Sequence, residues 1–115
     1  DLTYVGDTVA GFLPAAGAPA EANGTVVNLG TGTAVSIGDL AQTIFDILGG
    51  SFEIRTEEAR QRPAHSEVME LISDNSRARA SLGWSPRVAL RDGLEQTIAW
   101  VEGHRGAFKS GQYAI

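Results

Sequence analysis

Apolar and polar positions alternate between two rhythms along this chain. Leu2-Thr3-Tyr4-Val5 is rich in β-formers and reads as a short strand. Val9, Phe12, Leu13 and Ala16 then recur at helical spacing, with Asp7 as the expected N-cap. Pro14 lies inside that pattern and predicts a short or kinked helix, because it removes a backbone donor. Residues 17–24 are a loop by their Gly, Pro and Asn content. Thr25 to Leu29 reads as a strand buried on both faces, followed by the tight turn Gly30-Thr31-Gly32-Thr33. Ser36 and Asp39 form an approximate capping box for a helix carrying Ile37, Leu40, Ala41, Ile44, Ile47 and Leu48, ended by Gly49-Gly50.

The second half repeats the mixture. Phe52 to Arg55 alternates as a strand, Thr56 to Ser66 is a polar loop, and Val68 to Ile72 is a weak strand. Asp74 caps a short helix with Ala78 and Leu82, closed by Gly83. Trp84-Ser85-Pro86 connects to a last helix from about Arg91, with Leu94, Ile98 and Val101 as its stripe. The pattern predicts an α/β or α+β fold with two or three short parallel-type strands and about four helices. So small a sheet leaves its helices partly uncovered, which implies packing on something larger.

Composition narrows the classes. At 115 residues the chain is one domain or part of one, and 43% hydrophobic residues exclude a disordered polymer. Cysteine is absent, so disulfides, thiol nucleophiles and thiolate metal sites are excluded. A net charge of −5 argues against general binding to nucleic acid or anionic membrane. There is no apolar run of roughly 20 residues to span a bilayer, and no leader pattern at the start. A cytoplasmic location is expected. The start Asp1-Leu2-Thr3-Tyr4, without Met, reads as that of a fragment.

Few residues invite chemistry. Gly30-Thr31-Gly32 joins a strand to a helix, but Val35 stands where a dinucleotide fingerprint needs glycine. The turn is then either a plain strand-to-helix connection or a helix start whose free N–H groups face an anion. Arg62-Pro63-Ala64-His65-Ser66 is the most suggestive stretch. Pro63 stiffens the loop, Arg62 can fork onto two phosphate oxygens, and His65 and Ser66 add donors. An ordinary surface loop is the alternative. His104 falls at a helix C-terminus, where a structural role is expected. Trp84 and Trp100 read as core or interface anchors. The spacings of His and acids show no metal site, and no catalytic elbow occurs.

Five stretches together resemble the C-terminal part of extended short-chain dehydrogenases/reductases, the NAD-dependent nucleotide-sugar epimerases and dehydratases. They are Asp1 to Val9, Val27 to Gly32, Arg62 to Ser66, Asp74 to Ala78 with Leu82 to Pro86, and Leu90 to Trp100. They occur in the family's order over nearly the whole chain. The resemblance implies a small mixed α/β substrate-binding lobe over residues 1–115, without the N-terminal Rossmann half that binds NAD or NADP. It implies that Arg62 contacts the substrate diphosphate and that His65 lies near the nucleotide phosphates or ribose, with Ser66 beside them. Gly6 departs from the family's acidic or polar residue. The family's Tyr-x-x-x-Lys pair is missing, since Lys109 is the only lysine and Arg105 stands four residues before it. The chain is therefore expected to bind a nucleoside-diphosphate sugar, to hold no cofactor and to have no catalytic residue. The parent is expected to be a homodimer. A stand-alone protein-interaction module that no longer binds nucleotide is the competing expectation.

Overall fold

The computed structural model describes residues 1–54 and 68–107. Four α-helices form among them: α1 (Val5–Ala16), α2 (Ile37–Leu48), α3 (Ser76–Leu82) and α4 (Leu90–Gly103). Single 3₁₀ turns follow at Ala20–Ala22 and Arg105–Ala107. α1 packs on α3 and α2 on α4.

The helix ends follow local chemistry. Ser36 Oγ accepts from the Asp39 N–H at 3.0 Å and donates to Asp39 Oδ2 at 2.7 Å, so the expected capping box forms. α2 stops at Gly49, whose φ of +64° suits a residue without a Cβ. Gly83 closes α3 in the same way, at φ +61°. The N-cap of α3 is Asn75, not the expected Asp74; Asp74, one residue earlier, accepts from the Ser76 N–H at 2.9 Å. That bond holds its carboxyl below the ordinary value of 3.8, helped by the Ser76 hydroxyl and the nearby Arg77 guanidinium. α1 differs from expectation at its start, Val5, ahead of the expected cap Asp7; it runs through Pro14 to Ala16, where its apolar pattern ends.

Asp7 is not the N-cap. It lies inside the first turn of α1, only 5% exposed, and reaches across the fold. Its Oδ2 accepts from the backbone N–H groups of Arg87 at 3.0 Å and Val88 at 2.9 Å. Its own carbonyl accepts from Trp84 Nε1 at 2.9 Å. Trp84 is itself 5% exposed, and with Ala78 it forms the buried apolar core of the described residues. Covering an indole of this size contributes roughly 4–6 kcal/mol by area. Tyr4 is wedged between Gly6 and Gly93, where a Cβ on either glycine would press on its ring. Glycine at position 6 thus makes room that an acidic residue would fill.

The expected strands do not form among the described residues. Leu2 to Tyr4, Thr25 to Leu29, Phe52 to Ile54 and Val68 to Ile72 are irregular. Side chains occupy backbone groups that a ladder would use. Arg77 Nη1 donates to the Val26 carbonyl at 2.6 Å, and Asn75 Nδ2 donates to the Gly30 carbonyl at 2.7 Å. The N–H groups of Thr31 and Ser73 are taken by the Asp1 carboxylate. The apolar residues of these segments stay in the open, Met69 at 88% and Leu71 at 77% exposure. A sheet needs three or more strands with a covered face to stand alone, and these segments lack that cover.

Two outcomes follow. Asp7→Ala strands two amides and is expected to lower unfolding stability by about 2–3 kcal/mol. Asp7→Asn can keep both bonds on one oxygen and should lose about half of that; urea titration of Trp84 fluorescence reads both. Because the Asp74 pKa is depressed in the folded state, its stabilisation is present above the ordinary value of 3.8 and lost as pH falls through the lower folded value. An NMR titration should place the Asp74 midpoint below 3.8, and a midpoint at or above it would refute the Asp74–Ser76 bond.

Candidate functional site

The loop singled out as an anion receptor, with Arg62, His65 and Ser66, lies outside the described residues. What the structure does describe is the frame on either side of it. Residues 68–73 lead away from the loop and run beside residues 1–3 and 27–30. A groove of about 540 Å³ lies between these three segments. A second, of about 610 Å³, lies beyond Asp1, between Val35 to Ile37 and Val68 to Leu71.

Asp1 stands where the two grooves meet. Its Oδ1 accepts from Thr31 N at 2.9 Å and Thr31 Oγ1 at 2.7 Å. Its Oδ2 accepts from Gly32 N at 2.8 Å and Ser73 N at 3.1 Å. Its backbone nitrogen donates to the Leu71 carbonyl at 2.9 Å. One carboxylate thus ties together three segments separated by about 30 and 70 residues of sequence. Four donors fill the lone-pair capacity of a carboxylate. Asp1 is therefore a fastener rather than a free base or metal ligand.

This corrects one expectation. The donors of the Gly30-Thr31-Gly32 turn do not face outward toward a bound anion. Thr31 N and Gly32 N are satisfied by Asp1, and the Asp39 N–H of the following helix is satisfied by Ser36. The anion at this turn is a side chain of the protein itself. Gly30 supplies the clearance: a Cβ there would overlap the Ser73 side chain and stand 2.9 Å from Asp1 Oδ2. Ser73 Oγ is buried in this contact without a hydrogen-bond partner among the described residues.

Other candidates separate cleanly. His104 caps α4 as expected, with Nδ1 2.7 Å from the Trp100 carbonyl and its ring stacked on Trp100 at 4.4 Å. A carbonyl only accepts, so Nδ1 carries the proton. Trp100 itself is largely exposed, outside the core that Trp84 anchors. Among the described residues no group of three or more His, Asp or Glu could hold a metal ion, and no helix is long and apolar enough to cross a membrane. Reading by local spacing missed the reach of Asp1, Asp7 and Asn75, because each acts on a partner 30 or more residues away. The signal available was indirect: a Gly-Thr-Gly turn exposes backbone donors that need an acceptor.

Gly30→Ala is expected to cost at least about 2 kcal/mol in a urea titration, the penalty of overpacking a closed site. Adding Ser73→Gly removes the group that the new methyl meets and should restore a measurable part of the loss.

Comparison with known proteins places this segment. No family model matches, and no solved structure matches. Curated relatives do. The chain is 32% identical over 102 residues to a putative UDP-glucose 4-epimerase of Methanocaldococcus jannaschii, covering 89% of this chain and 30% of that protein. It is 36% identical over 74 residues to GDP-L-fucose synthase 1 of Arabidopsis thaliana, covering 64% and 21%. It is 34% identical over 82 residues to a dTDP-glucose 4,6-dehydratase of Streptomyces niveus, covering 71% and 24%. The chain spans less than a third of the length of each of these relatives. Their shared kinship and the five ordered stretches agree: the chain belongs to the extended short-chain dehydrogenase/reductase family of nucleotide-sugar epimerases and dehydratases.

Proposed function

We propose that this chain is the C-terminal, nucleotide-sugar-gripping part of an NAD(P)-dependent 4,6-dehydratase or 4-epimerase. One observation carries the reading. Relatives named for UDP-, GDP- and dTDP-sugars, and for different transformations of them, all align with this one segment. The base and the reaction vary, while a sugar on a nucleoside diphosphate is common to all. The residues suited to that common group are Arg62, which can fork onto the diphosphate, with His65 and Ser66 as further donors.

The chemistry itself belongs elsewhere. The chain has no Tyr-x-x-x-Lys pair and no complete dinucleotide fingerprint. In the intact enzyme an N-terminal Rossmann half binds NAD or NADP, which accepts and returns a hydride. This segment holds the substrate's diphosphate so that the sugar meets that cofactor. The exposed apolar residues of the irregular segments, among them Ile54, Val68, Met69 and Leu71, support docking against such a half. The parent is a homodimer in this reading. The same apolar surface also suits the competing reading, a stand-alone interaction module without nucleotide binding.

Titration of the chain with UDP-glucose, dTDP-glucose and GDP-mannose, followed by Trp fluorescence, separates the two. Saturable binding is expected, weakened by Arg62→Ala by about 1.5–3 kcal/mol, tenfold or more. Equal affinity of wild type and variant refutes the diphosphate grip, and absence of any response favours the interaction module. The chain alone is expected to reduce no NAD with any of these sugars, because it lacks the acid/base pair. A rise in absorbance at the reduced-nicotinamide band would overturn that.

A further inference from the structure

The chain has three asparagines, Asn23, Asn28 and Asn75, and the structure holds them differently. Asn23 and Gly24 form the tip of a closed turn. The Thr25 N–H donates to the Ala22 carbonyl at 3.1 Å, and Thr25 Oγ1 donates to the same oxygen at 2.7 Å. Asn23 has φ −62° and ψ 133°, and Gly24 has φ +76°. These are the angles of a type II turn, whose third residue needs a positive φ and is therefore glycine. Both bonds that close the turn end on Ala22. The Asn23 side-chain amide and the Gly24 N–H have no hydrogen-bond partner among the described residues. Both residues are exposed, and a Cβ on Gly24 would meet nothing within 4 Å. Type I and type II turns differ by a flip of the central peptide, so the Asn23–Gly24 peptide can rotate while Thr25 stays on Ala22.

Asn75 is the opposite case. It is 8% exposed, and its Nδ2 is committed to the Gly30 carbonyl at 2.7 Å. The N–H of the next residue, Ser76, is committed to the Asp74 carboxylate at 2.9 Å. The pair Asp92–Gly93 is held in the same manner, because the Gly93 N–H donates to the Ala89 carbonyl at 3.0 Å within α4. Asn28 is followed by Leu29, whose side chain crowds the backbone nitrogen that glycine leaves open. Only at Asn23 do an unheld side-chain amide and an unheld, unhindered backbone nitrogen stand next to each other among these pairs.

We propose that Asn23 is a site of spontaneous covalent modification in the folded chain, with water as the co-reactant. The Gly24 backbone nitrogen attacks Asn23 Cγ and a new C–N bond closes a five-membered succinimide. The bond from Cγ to the side-chain nitrogen breaks, and that nitrogen leaves as ammonia with the proton lost from Gly24. Water then opens the ring at either carbonyl: its hydroxyl goes to the carbon and its proton to the ring nitrogen. Opening at one carbonyl gives aspartate. Opening at the other gives isoaspartate, which routes the backbone through the side chain and lengthens the turn by one carbon. No electron changes hands. Either product adds one negative charge, two residues after Glu21, to a chain whose formal net charge is −5. The site is independent of the nucleotide-sugar reading and stands or falls without it.

The test incubates the whole chain, folded and in concentrated guanidinium chloride, at neutral and mildly alkaline pH, and follows each asparagine by peptide mass spectrometry. In the folded chain the Asn23 peptide is expected to gain about one dalton and to split into aspartate and isoaspartate forms. The rate should rise with pH, because the attacking nitrogen must give up its proton. Unfolding should speed the modification of Asn75 by about tenfold or more and that of Asn23 by less than about threefold, since only Asn75 loses protecting bonds. Asn23→Gln and Gly24→Ala should each slow the reaction at this turn by about tenfold or more. The positive φ of Gly24 strains the alanine variant, so Asn23→Gln, which leaves the backbone as it is, decides if Gly24→Ala does not fold by near-ultraviolet circular dichroism of Trp84. An unchanged mass at Asn23 in the folded chain overturns the proposal, whatever the unfolded chain does. A mass gain that persists in Asn23→Gln places the modification elsewhere and overturns it too. Asn75 reacting as fast folded as unfolded overturns the selectivity assigned to the hydrogen bonds.

Discussion

The arrangement of the described residues depends on backbone donors that must be satisfied where no β-ladder satisfies them. Thr31, Gly32 and Ser73 come together with their N–H groups converging, and the Asp1 carboxylate answers all three. A neutral acceptor would bring one or two lone pairs to that point. An ionised carboxylate brings about four, with charge assistance, and so one side chain does what a short ladder would otherwise do. Gly30 is glycine because the contact leaves no room for a methyl between its backbone and Ser73.

Asp7 uses the same device at the other end of the fold. Its side chain holds the amides of Arg87 and Val88, and its carbonyl holds the Trp84 indole. Helix α1, the end of α3 and the connector before α4 therefore meet at one buried acid. The two carboxylates divide the labour. Asp7 holds the indole of Trp84, which with Ala78 forms the buried apolar centre. Asp1 stands at the junction of two grooves and secures segments that carry little apolar cover.

The chain spans less than a third of the length of these relatives, and Val68, Met69, Leu71 and Ile72 stay exposed in it. The polar fasteners then have a clear purpose. They hold chain segments in place that hydrophobic burial within this part alone does not hold.

Local chemistry made the helices legible in the sequence. The Ser36–Asp39 box, the apolar spacing of α2 and α4, and the stops at Gly49 and Gly83 act within a few residues, so periodicity and caps reveal them. The five ordered stretches carried the family for the same reason: each is a short local pattern. The strands expected at Thr25 to Leu29 and Val68 to Ile72 were not legible, because β-propensity describes a half-covered pleated surface and not a backbone state. Whether such segments pair depends on neighbours far along the chain. Here those neighbours bring side chains, Arg77 to Val26 and Asn75 to Gly30, where a ladder would bring carbonyls and amides. The same distance hid the roles of Asp1 and Asp7. The sequence by itself determined the helices, most of their ends and the kinship. Only the tertiary structure decided which acids were caps and which were fasteners, because a carboxylate's role is set by the donors that converge on it in space.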